Sequence, residues 1–244
     1  MIKFFRQIRY KLMSKNKTGR YLKYAIGEII LVVIGILIAL QVNNWNEERK
    51  ANNELLNIKE NLLQEFEANR NELQNVLKSV DYTKNGGLDI LAVIGEEKIN
   101  VSEEEFNKMI EKSLFFPTWK PKNFTLNELK NTGKLILIKN DTLKRLLFNW
   151  EKHISIIEEW NRRVEKSSQD IIDYIKAYGS IRNINHKRIE TEASSLNVSN
   201  MALFDDVRFE NQIDEKVLYA QFMKQYLEEA DDIISEILEK VTQQ

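Results

Sequence analysis

Residues 25–42 read AIGEIILVVIGILIALQV, a run with one charge, Glu28, and no polar stripe. A segment apolar on every side predicts a helix buried all round, in a protein core or in a bilayer. Eighteen residues at about 1.5 Å each span about 27 Å, close to the roughly 30 Å hydrocarbon thickness of a membrane. The pattern then changes. Leu55, Ile58, Leu62, Phe66, Leu73, Val76 and Val80 recur at helical spacing, with Asn69 filling the seam position between Phe66 and Leu73. They predict an amphipathic helix continuous with the span, interrupted at Gly86-Gly87 and followed by a short apolar segment ending at Gly95.

Further on, Ser102-x-x-Glu105 is a capping box, opening a helix that carries Phe106, Met109 and Ile110 and must stop before Pro117. Thr125-x-x-Glu128 has the same form and predicts a short helix closed by Gly133. From about Asp141 the helical period holds through Leu143, Leu146, Trp150, Ile154, Ile157, Val164, Ile171, Ile175 and Tyr178 until Gly179. Residues 180–210 are polar. Ala220, Met223, Leu227, Ala230, Ile234, Ile237 and Val241 then alternate gaps of three and four, the period of left-handed bundle packing. The expected fold is all-α, an N-terminal transmembrane helix continuous with an elongated helical bundle of about four main helices.

Charge separates the two ends of the span. The first 24 residues hold eight Lys and Arg and no acid, whereas all 37 acidic residues of the chain lie at or after Glu28. Basic flanks stay in the cytoplasm, so residues 1–24 form a cytoplasmic arm and residues 43–244 a translocated, periplasmic domain. The run passes into Leu40-Gln41-Val42 with no small-residue cleavage site, so an uncleaved anchor is expected over a signal peptide. A buried core helix stays open as the alternative because of Glu28 and two glycines. The arm reads first as an orientation signal and second as a lipid contact, since Phe5, Ile8 and Leu12 at helical spacing suit an in-plane helix on an anionic leaflet. No nucleic-acid module is recognisable, so nucleic acid is not an expected partner.

Inside the span, Glu28, Gly35 and Ala39 fall on one face. Gly35-x-x-x-Ala39 permits close helix approach, which makes these three the candidate contact face for a second copy or another membrane protein. The bland alternative is that Glu28 reaches back to Lys23 or Arg20 at the interface.

Chemistry is sparse. There is no cysteine, so thiol catalysis, disulfides and thiolate metal sites are excluded. The two histidines, His153 and His186, lack metal-pair spacing, and no phosphate loop, nucleotide fingerprint or nucleophile elbow occurs. No cofactor, metal or catalytic residue is assigned. The aromatic loop holding Phe115, Phe116 and Trp119 is the candidate binding loop, against the alternative that its rings plug the bundle end.

The run GEIILVVIGILIALQVNNWNE over residues 27–47, with LNELKNTGKL at 126–135 and FEN at 209–211, resembles an uncharacterised family of single-pass membrane proteins from Gram-negative bacteria. The resemblance implies an inner-membrane address and a periplasmic domain, and no activity. Three functions stand open. A non-enzymatic membrane-anchored scaffold leads, followed by a sensor-like ligand-binding bundle signalling through a membrane partner, then an enzyme.

Overall fold

In the computed structural model, which describes residues 6, 7, 10, 18–95, 100–115 and 117–243, helix α1 runs Thr18–Leu91 without a break. It is followed by α2 (Glu103–Leu114), α3 (Phe124–Thr132), α4 (Asp141–Tyr178), α5 (Ile181–Asn185) and α6 (Val207–Thr242), with 3-10 turns at Lys134–Leu137 and Asn200–Leu203. Among the described residues there is no strand. The chain divides into two units, Met1–Asn57 and Ile58–Gln244. The expected in-plane helix through Phe5, Ile8 and Leu12 lies outside the described residues.

In the first unit α1 carries the apolar run. None of the residues in its most apolar eighteen-residue window is buried. Twelve Ile, Leu and Val side chains between Ile26 and Val42 are exposed, Leu31 to 70 %.

The second unit is built on three long helical stretches. Arg70 pairs with Asp231 and Asp81 with Lys224, while Gly87 faces Val217, so α6 runs antiparallel to α1. His153 meets Tyr226, Trp160 meets Tyr219, and Ser168 meets Lys216, so α6 is antiparallel to α4 as well. The seam residues expected from the sequence, from Ile58 to Val80 and from Ala220 to Val241, are buried between these helices. The fourth expected helix, α2, is only 12 residues long. It closes the end of the bundle where Phe106 packs at a tilt against Phe204 and edge-on to Phe209, in one cluster with Ile90, Ile171 and Ile175.

Two local expectations are corrected. Gly86-Gly87 does not break α1. A Cβ at Gly86 would stand 2.6 Å from the Ser113 backbone nitrogen, and one at Gly87 2.4 Å from Val217 Cγ2, so both glycines serve the close approach of α2 and α6. Thr125 is not a cap either. Asn123 holds that position without a side-chain bond, and Thr125 sits inside α3, bonded to Glu65. The Ser102–Glu105 box forms as expected, and Gly133 closes α3 in the left-handed conformation. Asn140 caps α4, accepting from the N–H groups of Thr142 and Leu143.

Within residues 180–210, Ile184, Leu203, Phe204 and Phe209 are buried, and the buried Asn200 ties the segment to α2 and to Ser180. Asn200 Nδ2 donates to Asn107 Oδ1 and to the Ser180 carbonyl, and its Oδ1 accepts from the Ser180 N–H.

Candidate functional site

The aromatic loop is held by its backbone. Asn69 Nδ2 donates to the Lys122 carbonyl at 2.8 Å and Asn69 Oδ1 accepts from the Lys122 N–H at 2.7 Å. Glu65 Oε2 accepts from both the N–H and the hydroxyl of Thr125. Asn161 Nδ2 donates to the Trp119 carbonyl, and the Thr83 hydroxyl to the Phe115 carbonyl. A loop packed into a bundle needs partners for its backbone groups, and these four side chains supply them.

Trp119 is fully buried, its ring edge-on to Trp150, which in turn packs against Phe66. Neither indole N–H finds an acceptor among the described residues, a cost of about 1–3 kcal/mol each. Burying 150–250 Å² of each ring, worth about 25 cal/mol per Å², outweighs it. Phe115 is half-exposed beside Tyr82, and Phe116 lies outside the described residues. Of the candidate binding loop, Trp119 is thus a core residue and Phe115 remains at the surface.

Three of the four clamp residues share a pattern that a sequence can show. Asn69 falls between Phe66 and Leu73, Asn161 between Ile157 and Val164, and Thr83 one step after Val80, all at seam positions. Lys216, between Ile213 and Ala220, is a fourth polar seam residue. It is 1 % exposed and donates to the Val164 carbonyl at 3.2 Å and pairs with Ser168. Burial pushes its amine down to about 7.

The histidines are committed to backbone partners. His153 Nε2 donates to the Tyr226 carbonyl at 2.7 Å and His186 Nδ1 meets the Asn183 carbonyl at 3.0 Å. No group of three or more His, Asp or Glu suited to a metal exists among the described residues. His153 borders an open groove of about 370 Å³ together with Glu229 and Asp232. On α1, Glu28 is half-buried, and a Cβ at Gly35 would meet nothing within 4 Å.

Residues 28–133 are similar to the model of a family described as a family of unknown function (DUF6090). The match begins at Glu28, takes in the apolar run, the remainder of α1, α2 and α3, and ends at Gly133, less than half of the 244 residues. No curated protein and no solved structure matches the chain.

Proposed function

We propose that the chain is a membrane-anchored, non-enzymatic interaction protein, with residues 25–42 as its transmembrane helix and residues 58–244 as a periplasmic helical unit. The observation that carries this reading is the exposure of twelve large aliphatic side chains between Ile26 and Val42. Keeping such side chains in water forgoes about 1.5–3 kcal/mol each, on the order of 20 kcal/mol together. That exceeds the roughly 5–15 kcal/mol net stability of a folded domain, so the segment requires an apolar surrounding. Length and composition suit a bilayer. The eight basic residues before the run support an N-terminus on the cytoplasmic side of a bacterial inner membrane. The face bearing Glu28, Gly35 and Ala39 is the place where a second copy or a membrane protein would meet the span.

The absence of cysteine makes the reading easy to test, because a single introduced thiol has no background. A membrane-impermeant maleimide is expected to label Leu196→Cys in spheroplasts and Tyr10→Cys only after permeabilisation. The reverse order would overturn the orientation, and release of the protein by alkaline extraction would overturn the anchor. Crosslinking in the membrane followed by mass spectrometry tests the interaction role. Failure to recover any reproducible partner, a second copy included, counts against it.

A further inference from the structure

The pair α4 and α6 is covered on one side and open on the other. Arg70 with Asp231 and Asp81 with Lys224 mark the side of α6 that faces α1. Asn161 with Trp119 and Glu151 with Lys130 mark the side of α4 that faces the aromatic loop and α3. The opposite seam between the two helices holds the groove of about 370 Å³, and only α4 and α6 line it among the described residues. Lys152, His153 and Ile156 form one wall, Glu229, Asp232 and Ile233 the other.

Aromatic rings extend this face in one direction. His153 lies 6.3 Å from Tyr226, and Trp160 lies 5.8, 5.2 and 5.6 Å from Tyr219, Phe222 and Tyr226. Phe222 is 38 % exposed and the other three rings are half-buried. In the other direction, Lys152 is shared with a shallower groove that takes in Arg145 and Phe148. Trp, Tyr, Phe and Arg are enriched where proteins meet, so a run of such rings left part-bare suits a protein partner. From Thr142 to Lys166 the face is about 36 Å long, and two packed helices make it about 20 Å wide. The resulting area of about 700 Å² approaches the roughly 800 Å² that each side of a stable complex buries.

Charge selects the partner. Residues 207–242 of α6 hold nine acidic and four basic residues, whereas residues 141–178 of α4 hold seven of each. Lys152 and Glu229 border one groove, at one height along the bundle, yet no ion pair joins them. A two-fold axis along the helices lays α4 of each copy over α6 of the other at equal height. Lys152 of one copy then meets Glu229 of the other, twice. A two-fold axis across the helices instead lays the acidic α6 on itself. Farther along, Arg163 over Trp160 and Glu215 beside Tyr219 meet in the same way, although Arg163 already pairs with the exposed Glu159.

We propose that a second copy of the chain docks in parallel on the open α4–α6 face, with Lys152 and Glu229 paired across the two-fold axis. The proposal gives the interaction role a partner and does not depend on residues 25–42 lying in a membrane.

The test uses the full chain, in membranes and in detergent, with one introduced thiol per sample. Under oxidant, Ile233→Cys is expected to form disulfide-linked dimers, while Leu88→Cys, on α1 and away from this face, is not. Lys152→Glu or Glu229→Lys is expected to weaken dimerisation about tenfold, because symmetry breaks two pairs at once, and the double reversal to restore it. No linkage at 233, equal linkage at 88, or a double reversal that fails to restore dimers overturns the proposal. Position 233 shielded from maleimide without linkage between copies means that another protein occupies the face, which also overturns it. Ile36→Cys reports contact within the span separately, and linkage there with none at 233 sinks this interface alone. Linkage at 233 in a chain released by alkaline extraction sinks the anchor and leaves this interface standing.

Discussion

The carboxamide of Asn69 in α1 pairs with both backbone groups of Lys122, donating through Nδ2 at 2.8 Å and accepting through Oδ1 at 2.7 Å. Asn69 is fully buried, so a substitution leaves the part-buried N–H and carbonyl of Lys122 without these partners. Asn69→Leu, although it completes the apolar seam, is expected to cost about 2–4 kcal/mol. Thermal unfolding of the full chain in detergent measures it. An unchanged melting temperature would mean that the loop is not held by this pair.

Gly86→Ala is expected to destabilise the protein by up to about 2 kcal/mol. Alanine favours a helix by about 1 kcal/mol over glycine, but overpacking against a rigid backbone costs about 1–3. The Ser113 nitrogen and the Lys112 carbonyl carbon, 2.6 and 2.9 Å from the added carbon, are both main-chain atoms. Urea midpoints of the two proteins decide the sign, and a gain in stability would remove the close-approach explanation.

Lys216 provides a pH dependence with a fixed sign. Its amine titrates at about 7 in the folded protein and at the ordinary 10.5 when unfolded. Between those values the unfolded chain binds the extra proton, so stability rises with pH across the window and the cost of burial is complete below pH 7. Lys216→Met is therefore expected to raise stability most at pH 6 and to flatten the rise toward pH 10, by about 1.4 kcal/mol per unit of depression. Ser168 keeps its bond to the Val164 carbonyl in that variant. Parallel pH profiles for the two proteins would exclude the lysine as the source.

Trp119→Ala is expected to lose about 3–5 kcal/mol, as large-to-small changes in a core do. Phe115→Ala, at a half-exposed position with one edge-on contact to Tyr82, is expected to lose about 1 kcal/mol. Similar losses at both sites, read from thermal unfolding, would contradict the division of this loop into a buried and an exposed part.

Much of the architecture is legible along the chain because helical burial is periodic. The Ser102–Glu105 box, the left-handed Gly133 and the stop at Gly179 are local devices, and local patterns carry them. Gly86-Gly87 misleads because a glycine reads as a breaker by itself, while here its meaning comes from Ser113 and Val217, far away in sequence. Thr125 misleads for a related reason, since Glu65 lies 60 residues away and competes for its hydroxyl. Asn69, Asn161 and Thr83 are visible as polar interruptions of apolar seams. What each one binds is not, because the loop they hold reaches them only in the folded state.

The clamp also bears on how such a chain can vary over time. Asn69, Asn161 and Thr83 grip main-chain atoms of the loop, which every residue type but proline offers, while Glu65 takes both the N–H and the hydroxyl of Thr125 at the start of α3. Lys120 and Lys122 are therefore open to replacement in relatives without loosening the loop, whereas the four residues that grip it are not. Sequence drift should collect on the exposed lysines of the loop and spare the buried polar residues that hold it, although polar residues are ordinarily the ones free to vary.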